Sequence, residues 1–187
     1  MKKNLLIFDL DGTLYDTREV NFLSYQKALA QESIQLDRNF YYKNCNGRYY
    51  KDYLPDIQPD ISNVQMECIH ENKKKYYNSY LGCAVENRLL FDMIERLIPT
   101  YHIALVTTAS RKNALDILIA FHRSELFELI LSQEDVMYKK PHPEGFLKAM
   151  AYFKIPPEKT TIFEDSDSGI AAADASAANY VKIYGFN

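Results

Sequence analysis

The stretch Asn4-Leu5-Leu6-Ile7-Phe8-Asp9-Leu10-Asp11-Gly12-Thr13-Leu14-Tyr15-Asp16 decides the fold. Leu5 to Phe8 has no polar face, so the run from Asn4 to Leu10 reads as a strand buried on both sides. It stops at acidic residues, and Gly12 lets the backbone turn sharply. Asp9 and Asp11 stand two apart at the end of an extended segment and project in related directions. Like charges so placed are costly unless a cation or a substrate compensates them. A solvated acidic turn is the plain alternative, and Gly12-Thr13-Leu14 following a buried strand counts against it.

Further along, the chain alternates. Arg88 to Ile98 reads as a helix, His102 to Thr107 as a strand, and Ser110 caps a helix to Phe121. Leu129 to Ser132 is a strand, Pro143 opens a helix to about Phe153, and Thr160 to Phe163 is a strand. Asp167 to Ala178 is a small-residue helix with Asp167 and Ser168 as its cap, and Tyr180 to Tyr184 is a last strand. Repeated β-α units predict an α/β fold with a doubly wound parallel sheet, covered on both faces and joined by right-handed crossovers. Ligands of such sheets bind beyond the carboxyl ends of the strands.

Between the first strand and this alternation lies a stretch of another kind. It holds 9 of the 15 tyrosines and no buried strand. Thr17 caps a helix with Phe22, Tyr25, Ala28 and Leu29 on one stripe. Ser62 or Asn63 caps another through Met66, Ile69, Lys73, Tyr76, Tyr77 and Tyr80. Asn44-Cys45-Asn46-Gly47 and Leu54-Pro55-Asp56 read as turns separating one or two short helices. The predicted organisation is an α/β domain of residues 1–15 and 85–187, with a small all-helical domain of residues 16–84 inserted after the first strand.

Composition narrows the function. The 187 residues carry 22 Lys+Arg against 25 Asp+Glu, a net charge of −3, which gives nucleic acid no electrostatic footprint. The longest apolar runs are far too short to span a membrane. The apolar run after Met1-Lys2-Lys3 ends at Asp9, too early for a secretion signal. Cys45, Cys68 and Cys83 lack C-x-x-C spacing, and their odd number points to reduced thiols in a cytoplasm.

The other strand ends repeat the pattern of the first. Thr107-Thr108-Ala109-Ser110 offers a hydroxyl and amides at a helix start, a natural anion site, with plain capping by Ser110 as the alternative. Lys140 precedes Pro141 and is held extended; Lys139 reads as part of an ordinary basic turn. Glu164 and Asp165 end the fourth strand before the next cap. With Asp9 and Asp11 they put four carboxylates at one rim, a set suited to a hard divalent cation, Mg²⁺ above all.

With four motifs in order, Asp9-Leu10-Asp11-Gly12-Thr13, Thr107-Thr108, Lys140-Pro141-x-Pro143 and Glu164-Asp165-Ser166-x-Ser168-Gly169-Ile170, the chain resembles the haloacid dehalogenase-like (HAD) hydrolases over its whole length. It is most similar to their phosphatase branch, which includes phosphoglycolate phosphatase-like and β-phosphoglucomutase-like proteins and carries a helical cap after the first motif. The resemblance implies Asp9 as nucleophile and Asp11 as general acid and base. It implies Mg²⁺ held by Asp9, the carbonyl of Asp11 and Asp165, with Glu164 as ligand or as support. Thr107 and the amide of Thr108 would bind phosphoryl oxygens, and Lys140 would neutralise charge. In the cap, Gly47, Arg48, Tyr50 and Lys51 are candidate substrate contacts, and Asp16-Thr17 and Gly82 to Glu86 are hinge segments. The implied substrate is a small phosphorylated metabolite. A second acid at Asp11 argues against dehalogenation. Asn21 stands where the mutases usually carry a His, which weakens a mutase reading; a non-catalytic Mg²⁺-binding protein is the third.

Overall fold

The computed structural model of the chain describes residues 2–186. The chain divides into two compact units, one made of residues up to Asp16 together with those from Val85 onward, the other of Thr17–Ala84. In chain order, β1 (Asn4–Phe8) and β2 (Tyr15–Asp16) precede the helices α1 (Arg18–Gln31), α2 (Arg38–Asn44), α3 (Tyr50–Ile57) and α4 (Asn63–Tyr77). Then follow β3 (Val85–Glu86), α5 (Arg88–Leu97), β4 (Tyr101–Val106), α6 (Arg111–Ala120), β5 (Leu129–Leu131), α7 (Glu144–Phe153), β6 (Thr160–Glu164), α8 (Asp167–Ala175) and β7 (Asn179–Lys182).

The first unit is an α/β fold built on a five-stranded sheet of order β5-β4-β1-β6-β7. Every pairing is parallel, with Phe8 opposite Leu105 on one side and Phe163 on the other. Leu5, Leu6, Ile7 and Phe8 are all buried, so β1 is covered on both faces, as an uninterrupted apolar strand requires. Leu5, Ile7, Ala104, Val106 and Ile162 pack with Phe146, Ala149 and Met150 of α7 and with Ala172 and Ala173 of α8. The alanines of α8 let that helix lie close to the sheet. β2 and β3 form a separate antiparallel ribbon, Tyr15 opposite Glu86. Strands of two residues carry no period, and this ribbon is absent from the sequence reading.

The second unit is all helical, and its core is largely tyrosine: Tyr25, Tyr41, Tyr50 and Tyr53 pack with Phe22, Leu29, Leu54, Met66 and Ile69. Ser62 and Gln65 close a reciprocal capping box at the start of α4. Three local expectations are corrected. Thr17 makes no capping bond; its hydroxyl accepts from Asn21 Nδ2 at 3.1 Å. Leu54-Pro55-Asp56 is not a turn but lies inside α3. In the first unit, α8 is capped by Ser166, whose Oγ accepts from Gly169 N at 3.0 Å, and not by Asp167 or Ser168. Among the described residues no helix is long and apolar enough to cross a membrane.

Candidate active site

β1, β4 and β6 lie side by side, so their carboxyl ends bring Asp9, Thr107 and Glu164 to one rim. Asp9 continues the sheet by donating its N–H to Phe163 O at 3.0 Å, and Thr107 donates its own to Leu131 O at 2.9 Å. Lys140 reaches in from the loop before α7. Its ammonium donates to Asp9 Oδ1 at 2.6 Å, Glu164 Oε1 at 2.6 Å and Val106 O at 3.1 Å. An ammonium has three donors, and here all three are satisfied, which is the condition for a lysine side chain only 7% exposed to stay charged. The loop itself is tied down by Glu144, whose carboxylate accepts from the N–H groups of Met137 and Tyr138.

The acidic side is built as closely. Glu164 Oε2 accepts from Ser166 N at 2.8 Å and Ser166 Oγ at 3.0 Å. Asp165 Oδ1 accepts from Thr13 Oγ1 at 2.9 Å. The loop after β1 folds back on itself through Leu14 N and Tyr15 N to Leu10 O, and through Gly12 N to Tyr15 O. Gly12 has φ +94°, and a Cβ there would lie 2.6 Å from Asp165 Cγ, so both its conformation and its neighbour demand glycine. Asp11 is half-buried on the same loop. Thr107 Oγ1 accepts from Ala109 N at 3.0 Å, which aims the hydroxyl and leaves its hydrogen to donate. Thr108 is exposed beside it, and a narrow crevice walled by Thr107, Thr108, Ser132, Gln133 and Lys140 opens here.

Charge in this region is out of balance. Counted as fully ionised, and with Asp11 left aside, Asp9, Glu164 and Asp165 bring three negative charges against the single positive charge of Lys140, a formal net −2. Burial raises the Asp9 carboxyl well above its ordinary range; Lys140 opposes this, and Glu164 and Asp165 add to it. Burial and then Glu164 push Asp165 up to about 6, against the Thr13 hydrogen bond. Burial alone would lower Lys140, but Asp9 and Glu164 outweigh it and hold it raised.

The four carboxylates expected around one cation do not gather as a set. Among the described residues no group of three or more His, Cys, Asp or Glu converges as a metal cage. Both oxygens of Glu164 are engaged, one by Lys140 and one by Ser166, an arrangement that suits support behind the rim, one of the two roles the resemblance implies. Asp9 and Asp165 remain, each with one oxygen in a hydrogen bond. Two carboxylates with main-chain oxygen and water fit Mg²⁺, which keeps much of its hydration and rarely has an all-protein cage. The surplus of two negative charges fits it as well.

The helical unit places its four candidates in structural roles. Gly47, at φ +77°, makes the turn before α3. The Arg48 guanidinium donates to Asn44 O at 2.6 Å, Asp52 O at 2.8 Å and Asp56 Oδ2 at 3.0 Å, stapling that turn. Tyr50 is buried, stacks on His70 at 3.9 Å and donates to Glu67 Oε2 at 2.8 Å. Lys51 pairs with Glu67 at 2.5 Å. The residues to which the sequence reading gave no role are those holding the rim: Thr13, Glu144 and Ser166. Thr13 and Ser166 stand inside the first and fourth motifs, and Glu144 follows Pro143 at the start of α7, so their places in the chain were visible while their partners were not.

A profile of the haloacid dehalogenase-like hydrolases matches residues 6–183. The chain belongs to that family. It is 28% identical over 188 residues to a phosphorylated carbohydrates phosphatase of Thermotoga maritima, covering 96% of this chain and 83% of that protein. It is 27% identical over 195 residues to the pyrophosphatase PpaX of Bacillus mycoides, covering 98% and 84%. The crystal structure of CbbY from Rhodobacter sphaeroides in complex with phosphate superposes with a TM-score of 0.85, at 24% identity, over 100% of this chain and 88% of that one. This last likeness concerns the fold.

Proposed function

We propose that this chain is a Mg²⁺-dependent phosphatase that hydrolyses small phosphate monoesters through an aspartyl-phosphate on Asp9. The observation that carries the reading is the Asp9 carboxylate held at 2.6 Å by a buried lysine, beside Asp165, at the ends of adjacent parallel strands. The phosphatase names of the two relatives agree with it.

In the proposed reaction an Asp9 oxygen attacks phosphorus while the bond to the ester oxygen breaks. Asp11, as the acid, gives its proton to that leaving oxygen. The resulting carboxylate then takes a proton from water as the water oxygen attacks the phosphoryl group and the Asp9–phosphorus bond breaks. Thr107, with its hydroxyl aimed by Ala109, and the amide of Thr108 receive phosphoryl oxygens. Lys140 keeps Asp9 oriented and offsets phosphate charge. Asp9, Asp165 and the carbonyl of Asp11 would hold Mg²⁺, which would supply the positive charge that an anion attacking an anion needs. The helical unit acts as the cap that limits substrates to small molecules.

Phosphate release from p-nitrophenyl phosphate and a panel of phosphorylated metabolites, with and without Mg²⁺, tests the reading. Release from at least one substrate, abolished by Asp9→Asn, is expected; no release from any would end it. Rapid conversion of β-glucose 1-phosphate to glucose 6-phosphate, given a trace of the 1,6-bisphosphate and outpacing every hydrolysis, would favour phosphoryl transfer instead.

A further inference from the structure

Lys140 is held by Glu164, and Glu164 is in turn held by something the motif comparison leaves without a role. Gly169 lies in the first turn of α8, where the helix turns back over the end of β6. An ideal Cβ on Gly169 would overlap the Glu164 carboxylate, Cδ and both oxygens, well inside the 3.0 Å that real Cβ contacts keep. The backbone is helical and in no left-handed conformation, so any residue could adopt it. Alanine would be the better helix former. What glycine offers here is space alone.

That space is occupied by a group that cannot step aside. Glu164 is 1% exposed, with Oε1 on Lys140 and Oε2 on Ser166. Ser166 Oγ also accepts from Gly169 N at 3.0 Å, so the glycine, the cap and the carboxylate form one closed arrangement. A methyl group at position 169 can be accommodated only by turning the Glu164 carboxylate, which takes an acceptor from Lys140 and with it the alignment of the ammonium on Asp9.

We propose that Gly169 is a positioning residue: its missing side chain seats Glu164, and Glu164 seats Lys140 against Asp9. The proposal deepens the phosphatase reading, because it concerns the ammonium assigned to the phosphate-facing rim.

The test is Gly169→Ala in three backgrounds: the natural chain, Glu164→Asp and Glu164→Gln. The readouts are the melting temperature and kcat on p-nitrophenyl phosphate with Mg²⁺. In the natural chain Gly169→Ala lowers the melting temperature by about 5 °C, an overpacking effect. It also cuts kcat by roughly a hundredfold, as a displacement of about 1 Å at reacting groups does. Glu164→Asp withdraws the carboxylate by one methylene, and in that background Gly169→Ala changes kcat by less than about twofold and leaves the melting temperature level or higher. Glu164→Gln keeps the volume, so the thermal penalty persists there. If Glu164→Asp does not fold, Glu164→Ala supplies the same relief. Equal penalties in the natural and shortened backgrounds, or no penalty in the natural chain, overturn the proposal. Should the natural chain release no phosphate at all, the phosphatase reading fails, while the melting temperatures still decide whether Gly169 seats Glu164.

Discussion

Replacing Lys140 by methionine asks how much of the rim depends on one ammonium. Methionine fills nearly the same volume with an unbranched apolar chain, so little packing is lost and the effect is electrostatic. The substitution removes two contacts of 2.6 Å, to carboxylates 8% and 1% exposed. Breaking one buried pair by deleting a partner costs about 3–5 kcal/mol, because the other charge stays buried without compensation. Here one lysine serves two carboxylates, and protonation of Asp9, whose carboxyl is already raised, limits the total. The expected loss therefore stays near 4 kcal/mol, the middle of that range. For a protein of this length each kcal/mol moves the melting temperature by roughly 2–4 °C, so the transition of the α/β unit should fall by about 8–16 °C. Scanning calorimetry at neutral pH without added metal measures it. Adding Glu164→Gln to Lys140→Met removes one uncompensated charge and should return about 1–2 kcal/mol. A Lys140→Met protein melting within about 3 °C of the natural chain would refute the reasoning, since it would mean these carboxylates do not depend on the lysine.

Four further outcomes follow from the same structure. Asp9→Asn should fold as well as the natural chain, having lost a buried carboxylate whose charge burial opposes, and should lose essentially all phosphate release; near-natural turnover excludes covalent catalysis at Asp9. Activity should vanish with EDTA, return with Mg²⁺ and return poorly with Ca²⁺, which prefers longer bonds and more ligands; full activity in metal-free buffer contradicts this. Ser62→Ala should destabilise the helical unit by about 1 kcal/mol through loss of the capping box, and an unchanged melting temperature counts against that role. His70 faces Tyr25, the Tyr50 ring, Lys73, Lys74, Glu67 and Glu71, and burial followed by Lys74 and Lys73 lowers its imidazole from 6.5 to about 4. Between those values the unfolded chain binds more protons, so stability of the helical unit holds above about pH 6.5 and falls toward pH 4, by about 1–2 kcal/mol after allowance for partial exposure. His70→Gln should flatten that slope, and an equal slope in both proteins removes His70 as its cause.

How much of this was legible in the sequence depended on the range of each signal. The strand ending at Asp9 and the strand ending at Glu164 were readable because an uninterrupted apolar run that stops at acid is a local pattern. That the two strands are neighbours was not readable, because α/β alternation implies parallel strands but leaves their order in the sheet open; the pairing of Phe8 with Phe163 is a tertiary fact. The bonding of Lys140 was not readable, because Val106 O, Asp9 and Glu164 meet only through tertiary placement. Capping by Ser166 and not Asp167 turned on a shift of one residue, at a position where the Glu164 carboxylate reaches forward to accept from the Ser166 amide. Pro55 inside α3 misled, since a proline past the first turn usually ends a helix. Arg48 looked like an exposed cation near a glycine; three bonds to its own turn give it a structural task.

The charge count also sets what the proposed metal would add to the lysine. Three carboxylates and one ammonium leave −2, and a phosphate dianion brought to the rim would raise this to −4. At about 4 Å and an effective dielectric near 20, each pair of like charges costs roughly 4 kcal/mol. The single charge of Lys140 is already in that count, so the lysine offsets part of the phosphate charge and can add nothing more. A divalent cation at Asp9 and Asp165 would neutralise the empty rim and halve the charge of the loaded one, from −4 to −2. Substrate affinity and metal affinity should therefore rise together, each ligand tightening the other by the same factor, as linkage requires. The Kd of inorganic phosphate, measured by calorimetry at several Mg²⁺ concentrations, reads that coupling directly. A phosphate affinity indifferent to Mg²⁺ would show that the cation does not act on the rim as the charge count demands.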